Sequence, residues 1–189
     1  MTKARDLANG GFGLVLIKPS SVVNGTDNGK GTVSFSAASS VSLNDVFSAT
    51  YKNYKIIFTG TGVNDDLKLR LRVGGSDASG SDYWYLTAWM ASNSATMQTP
   101  VVAENGTSLI LGEIGSSSCL ATFDINSPFL ATTTTMNIHS TFSRGTSTGN
   151  VRSYFGGGFQ DLATSYTGFT IFPTSTTMTG SISVYGYNN

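Results

Sequence analysis

Charge is what this chain has least of. Only 12% of its 189 residues are charged, and 11 Lys+Arg offset 11 Asp+Glu. The balance therefore implies neither the general footprint of a nucleic-acid binder nor an acidic partner. Solubility falls to Ser, Thr, Asn and Gly, a polar but uncharged composition of the kind found in extracellular and particle-borne β-proteins. A single cysteine, Cys119, excludes an internal disulfide and a cysteine-built metal cage. No apolar run approaches the ~20 residues of a membrane-spanning helix. The opening Met-Thr-Lys-Ala-Arg-Asp leads into no signal-peptide core, so the expectation is synthesis in a cytoplasm without export by that route. Amphipathic helices of ordinary length are missing as well.

What is present is period-two alternation. Leu67, Leu69, Leu71 and Val73 alternate with Lys68, Arg70 and Arg72, a strand with one buried and one wet face. Tyr54 to Thr59 is aromatic and β-branched and reads as a more fully buried strand. Gly60-Thr61-Gly62 and Asn64-Asp65-Asp66 between them are turn formers, so Tyr51 to Gly75 reads as a β-hairpin at the centre of a sheet. Asn44-Asp45-Val46-Phe47 before it reads as one helical turn. Further strands are expected at Thr32–Ser36, Val41–Leu43, Tyr83–Trp89, Ser108–Ile114, Ser118–Ile125, Thr135–Phe142, Val151–Phe155, Gly168–Phe172 and Gly180–Tyr187. Short strands at near-regular spacing indicate two packed antiparallel sheets: an all-β sandwich, jelly-roll-like, spanning residues 31–189.

Residues 1–30 read differently. A short helical pattern at Thr2–Ala8 is followed by Asn9-Gly10-Gly11, the apolar Phe12–Ile17, and turn signals at Asn24-Gly25 and Asn28-Gly29. With too little periodicity for a core of its own, the segment is expected to be an extended arm. Phe12, Leu14, Val15, Leu16 and Ile17 are its candidate docking residues.

Candidate chemistry is sparse. His139, the only histidine, alternates within a strand and has no Gly-x-Ser-x-Gly elbow or other nucleophile signature beside it, so it reads as outward-facing. Asp65-Asp66 and Asp77 to Asp82 offer oxygen ligands but lack the distal glutamate of a calcium loop. Glu104 and Glu113 carry no spacing that marks a glycosidase pair. Gly10-Gly11-Phe12-Gly13 and Gly156-Gly157-Gly158 lack phosphate-loop spacing and read as hinge and bulge. Asn24-Gly25-Thr26 and Asn105-Gly106-Thr107 read as turns. The row Lys68, Arg70, Arg72 reads as a solvated outer face. Tyr83, Trp84, Tyr85 and Trp89, with aromatic rings on both faces of one strand, form the candidate platform for stacking sugar rings. No enzyme and no cofactor is expected.

Val41–Phe58, Leu67–Asp77, Tyr166–Pro173 and Thr179–Tyr187 resemble tailed-bacteriophage virion proteins of the tail-fibre, minor structural or decoration type, and Lys3–Asn9 is similar to a segment of such fibre proteins. The resemblance covers Val41 to Tyr187. It implies a non-enzymatic virion structural protein, a capsid decoration or short tail appendage. Such a protein would be anchored by its arm to capsid or tail proteins and assembled as a homo-oligomer, a trimer by the habit of such proteins. The alternative is a receptor-binding module for a host-surface glycan. Its place would be the virion, after synthesis in the host cytoplasm.

Overall fold

The computed structural model describes residues 13–94, 96–143 and 150–187, and every regular element among them is a strand. In chain order these are β1 (Leu14–Ile17), β2 (Ser21–Val23), β3 (Thr26–Asp27), β4 (Thr32–Ala38), β5 (Val41–Asn44), β6 (Asn53–Gly62), β7 (Asp65–Val73) and β8 (Ser76–Asp77). They continue as β9 (Tyr83–Ala91), β10 (Gln98–Gly106), β11 (Leu109–Ile114), β12 (Cys119–Asn126), β13 (Thr134–Ser143), β14 (Val151–Gln160), β15 (Gly168–Pro173) and β16 (Met178–Tyr187). All pairings are antiparallel. The large sheet runs β10-β9-β14-β13-β12-β6-β16-β4-β3 with β1 also on β16, and the small sheet runs β11-β7-β15-β5-β2 with β8 on β7.

The expected sandwich is therefore present, and its strand order is that of a jelly roll. If β4, β5, β6, β7, β11, β12, β15 and β16 are counted one to eight, the sheets read 1-8-3-6 and 2-7-4-5, a double Greek key. Two hairpins are inserted into this frame, β9–β10 between the fourth and fifth strands and β13–β14 between the sixth and seventh. Both continue the large sheet past β12. This widened end carries the aromatic strand.

One core lies between the sheets. Tyr54, Ile56 and Phe58 of β6 and Leu67, Leu69 and Leu71 of β7 are all 0% exposed within it. The expected hairpin is not formed: β6 pairs with β12 and β16, while β7 pairs with β11 and β15 in the other sheet. The chain arches across the core instead of folding back in one plane. Its corner is fixed by the Gly62 N–H donating to the Gly115 carbonyl at 2.8 Å. Asp65 Oδ2 accepts there from the Ser175 and Thr176 N–H groups at 2.7 and 3.1 Å. An arch gives each strand its own two neighbours and lets both apolar faces meet the same core.

The helical turn expected at residues 44–47 is likewise absent. Asp45 turns the chain with φ 55°, and Val46 and Phe47 plug the sandwich end at 1% exposure each. Tyr54 holds this loop by donating to the Ser48 carbonyl at 2.9 Å and accepting the Ser48 N–H at 2.8 Å.

Gly31 does not separate an arm from an independent body. Residues 14–27 lap over one side of the sandwich: β1 pairs with β16, β2 extends the small sheet on β5, and β3 extends the large sheet on β4. The apolar content explains this, because Ile17 and Val22 pack against the core, a gain that a detached arm would forgo. The helical pattern at Thr2–Ala8 lies outside the described residues.

The outer face of the small sheet departs from a simple wet surface. Arg72 is 9% exposed. Its guanidinium donates to Asn44 Oδ1 at 3.0 Å, to Ser42 Oγ at 3.1 Å, to Thr170 Oγ1 at 2.9 Å, to Asp77 and to the Gly75 carbonyl. Arg70 lies over the Phe172 ring at 4.7 Å. The basic row is thus structural at Arg72, and the β8 turn covers it.

Candidate functional site

Strand β9 splits the four candidate aromatic residues by parity. Tyr83 is 0% exposed; its hydroxyl donates to the Ala78 carbonyl at 2.8 Å and accepts the Leu71 N–H at 2.9 Å. Burial drives its pKa far above the ordinary range. Trp89 also packs against the core, stacked on Tyr154 at 5.9 Å and 13°, with the Arg152 guanidinium 4.2 Å from its ring centroid. Arg152 and the Tyr154 hydroxyl both donate to Glu113 Oε1, at 3.1 and 2.7 Å. This interior cluster explains Glu113 as a structural carboxylate. Tyr85 packs on the core and borders the outer groove; its pKa is raised by burial and by the charge of Asp66. Trp84 has the opposite parity. Its ring stacks on Phe159 at 6.1 Å and 11°.

Around this pair, antiparallel pairing lays out rows across the outer face of the large sheet. One row is Trp84, Phe159, Thr135, Asn126 and Asn53, on β9, β14, β13, β12 and β6. The next is Val102, Leu86, Gly157, Asn137, Asp124 and Lys55. Gly157 leaves a gap between Leu86 and Asn137, and a Cβ there would lie 2.8 Å from the Met136 carbonyl oxygen. The glycine run is thus neither hinge nor bulge but part of β14, in unbroken register with both neighbours.

The gap opens a groove of about 410 Å³ bordered by Trp84, Leu86, Val102, Gly157, Phe159 and Asn137. Asn137 also borders a second, polar hollow of about 300 Å³ with Asn53, Asp124, Asn126 and Tyr187. Asp124 there is bound by Lys55 Nζ at 3.0 Å and accepts the Tyr187 hydroxyl. The Tyr187 pKa is raised by burial and by this hydrogen bond. The Asn126 amide donates to Thr135 Oγ1 at 3.3 Å. The Asn53 and Asn137 carboxamides have no hydrogen-bond partner among the described residues. Sequence reasoning missed Phe159, Asn137, Asn126 and Asn53. Their signal was parity, since planar polar side chains occupy the outward positions of β12 and β13.

Of the docking candidates, Phe12 lies outside the described residues. Leu14, Val15 and Leu16 are 44%, 38% and 37% exposed although paired in β1, and Ile17 is half-buried. β1 pairs only with β16, and among the described residues no strand meets its other edge. His139 is exposed, as expected, with Nε2 3.3 Å from Ser153 Oγ. Asp65 is occupied by the 175–176 turn and Asp77 by Arg72. Among the described residues no group of three His, Cys, Asp or Glu side chains could hold a metal ion. Cys119 is buried, which pushes its thiol up to about 12. No protein-family model matches the chain, and no curated protein matches it.

Proposed function

We propose that this chain is a structural protein of a tailed-bacteriophage particle, a capsid decoration or short tail appendage that attaches through its N-terminal strand. The observation that supports the reading is β1. Its Leu14, Val15 and Leu16 stay more than a third exposed after the strand has paired, on both faces, and among the described residues no strand pairs with its other edge. An apolar strand with an unpaired edge is a template for another chain. A particle protein that adds a strand would bury those three side chains and use the backbone groups that no described strand pairs. The jelly-roll frame, which recurs in viral capsid and lectin domains, is compatible with this role as a fold-level analogy.

In this arrangement the lapped side of the sandwich faces the particle, and the widened sheet projects its outer face. The natural assembly is a homo-oligomer, proposed as a trimer. The test is particle incorporation of Leu14→Asp/Leu16→Asp, which keeps β1 residues that are already exposed but makes the edge repulsive to an apolar partner. The double variant is expected to fold with a normal thermal transition and to be lost from purified particles. Incorporation at the normal copy number would move the attachment elsewhere on the molecule.

A further inference from the structure

We infer that the outer face of the large sheet holds a carbohydrate-binding groove, which takes a neutral oligosaccharide of a few pyranose rings. The inference rests on the groove alone and holds whether or not β1 is the particle anchor. Four observations carry it. First, Trp84 and Phe159 form a near-parallel aromatic pair at 6.1 Å and 11° on the outer face of the sheet. The C–H face of a pyranose needs an aromatic surface of this kind. Second, the hollow beside it is floored by Gly157, so a ring can approach the sheet without meeting a side chain.

Third, the polar end of the same face presents carboxamides. Sugar hydroxyls donate and accept at once, and an amide offers both an oxygen acceptor and N–H donors. Asn53 and Asn137 have no partner of their own among the described residues, and Asn137 borders both hollows, which joins them into one path. From Phe159 through Thr135 and Asn126 to Asn53 is three strand steps, about 14 Å at the usual strand spacing. That length suits several rings in line and exceeds a single sugar.

Fourth, neither hollow is lined by a cation: the charged residues on them are the carboxylates Glu104, beside the aromatic pair, and Asp124, at the polar end. The Asp124 carboxylate is matched by Lys55 at 3.0 Å, so no unmatched cation is offered to a phosphate or sulfate. The competing occupants fit less well. A peptide strand docks on sheet edges, where backbone groups are free, whereas Trp84, Phe159, Asn137, Asn126 and Asn53 lie on the face of strands paired on both sides, and only Val102 stands on the edge strand β10. A second copy of this chain would bury the free carboxamides unpaired, which is costly.

The test uses the full chain and a panel of neutral trisaccharides of glucose, galactose and mannose, followed by tryptophan fluorescence and saturation-transfer NMR. At least one trisaccharide is expected to bind and to shift the emission. Trp84 is the responding fluorophore, since Trp89, the other tryptophan, packs against the core. Trp84→Ala and Asn137→Ala should each weaken binding on the order of tenfold, about 1.4 kcal/mol. His139→Ala, on the same face outside the groove, should leave it unchanged. Asn137 is exposed, so its variant keeps the test valid if Trp84→Ala fails to fold. The inference is overturned if no trisaccharide of the panel binds, or if Asn137→Ala binds like the wild type. It is equally overturned if Asn137→Ala changes the sedimenting mass, which would assign the face to a second copy.

Discussion

Arg72 offers the sharpest perturbation, because alternation alone would place it in water. In the fold it is 9% exposed and donates to Asn44, Ser42, Thr170, Asp77 and the Gly75 carbonyl. Replacing it by Met keeps most of the aliphatic volume and deletes the charge. Ser42 and Thr170 keep their own hydrogen bond at 2.8 Å, and Thr170 still donates to Asp77 at 2.6 Å. Asp77, 26% exposed at its side chain, loses its cation but retains that bond and some water. Breaking a buried pair typically costs 3 to 5 kcal/mol; with partial exposure and the surviving bond, Arg72→Met is expected to cost about 2 to 4 kcal/mol. The double variant Arg72→Met/Asp77→Leu removes both charges and should recover at least about half of that loss. Urea unfolding of the wild type, both single variants and the double variant measures it, with unchanged m-values. A cost below about 0.5 kcal/mol for Arg72→Met, within the range of ordinary surface changes, would refute the buried network.

Leu69→Ala, at a position with 0% exposure between the sheets, should cost about 2 to 5 kcal/mol by urea denaturation. Lys68→Ala, the preceding residue and of the opposite parity, should change stability little. Burial would raise the Asp65 pKa, but hydrogen bonds from Ser175, Thr176 and Asp66 outweigh it and hold it below the ordinary 3.8. The stabilisation is therefore full above that ordinary value and lost as pH falls through the folded one. Asp65→Asn should flatten the acid limb of the stability curve measured by thermal melts. Deleting residues 1–30 removes β1, β2 and β3 from both sheets, so calorimetry should show a clearly lower transition temperature. An unchanged transition would restore the picture of a detached arm.

Parity was the legible part of this fold. Leu67, Leu69 and Leu71 announced their buried face, and most strands fell where β-branched and aromatic residues lie between turn formers. Partner choice was not legible. The local pattern of Tyr54–Val73 is the same for a hairpin and an arch, and only β12, β16, β11 and β15, distant in sequence, decide between them. Gly156-Gly157-Gly158 read as an interruption because strand propensity is low for glycine, yet tertiary pairing carries β14 straight through. The aromatic strand failed for a related reason. Tyr83, Tyr85 and Trp89 share one parity, and Trp84, Leu86 and Met90 share the other, so both faces look apolar and neither announces itself as buried. That ambiguity is itself the mark of the exposed outer face, since Leu86, which borders the groove, and Met90 remain 55% and 44% exposed. Arg72 misled because an arginine in an alternating polar position is ordinarily wet, and its partners Ser42, Asp77 and Thr170 come from three other strands.

The proposal that this chain is built into a phage particle is tested most directly by quantitative mass spectrometry of purified particles whose genome encodes it. The account predicts stoichiometric recovery at a fixed copy number relative to the major capsid protein. Copies comparable with the capsid lattice would mean decoration, and a few tens or fewer a tail appendage. Its absence from washed particles, with the protein abundant in the infected-cell lysate, would contradict the account.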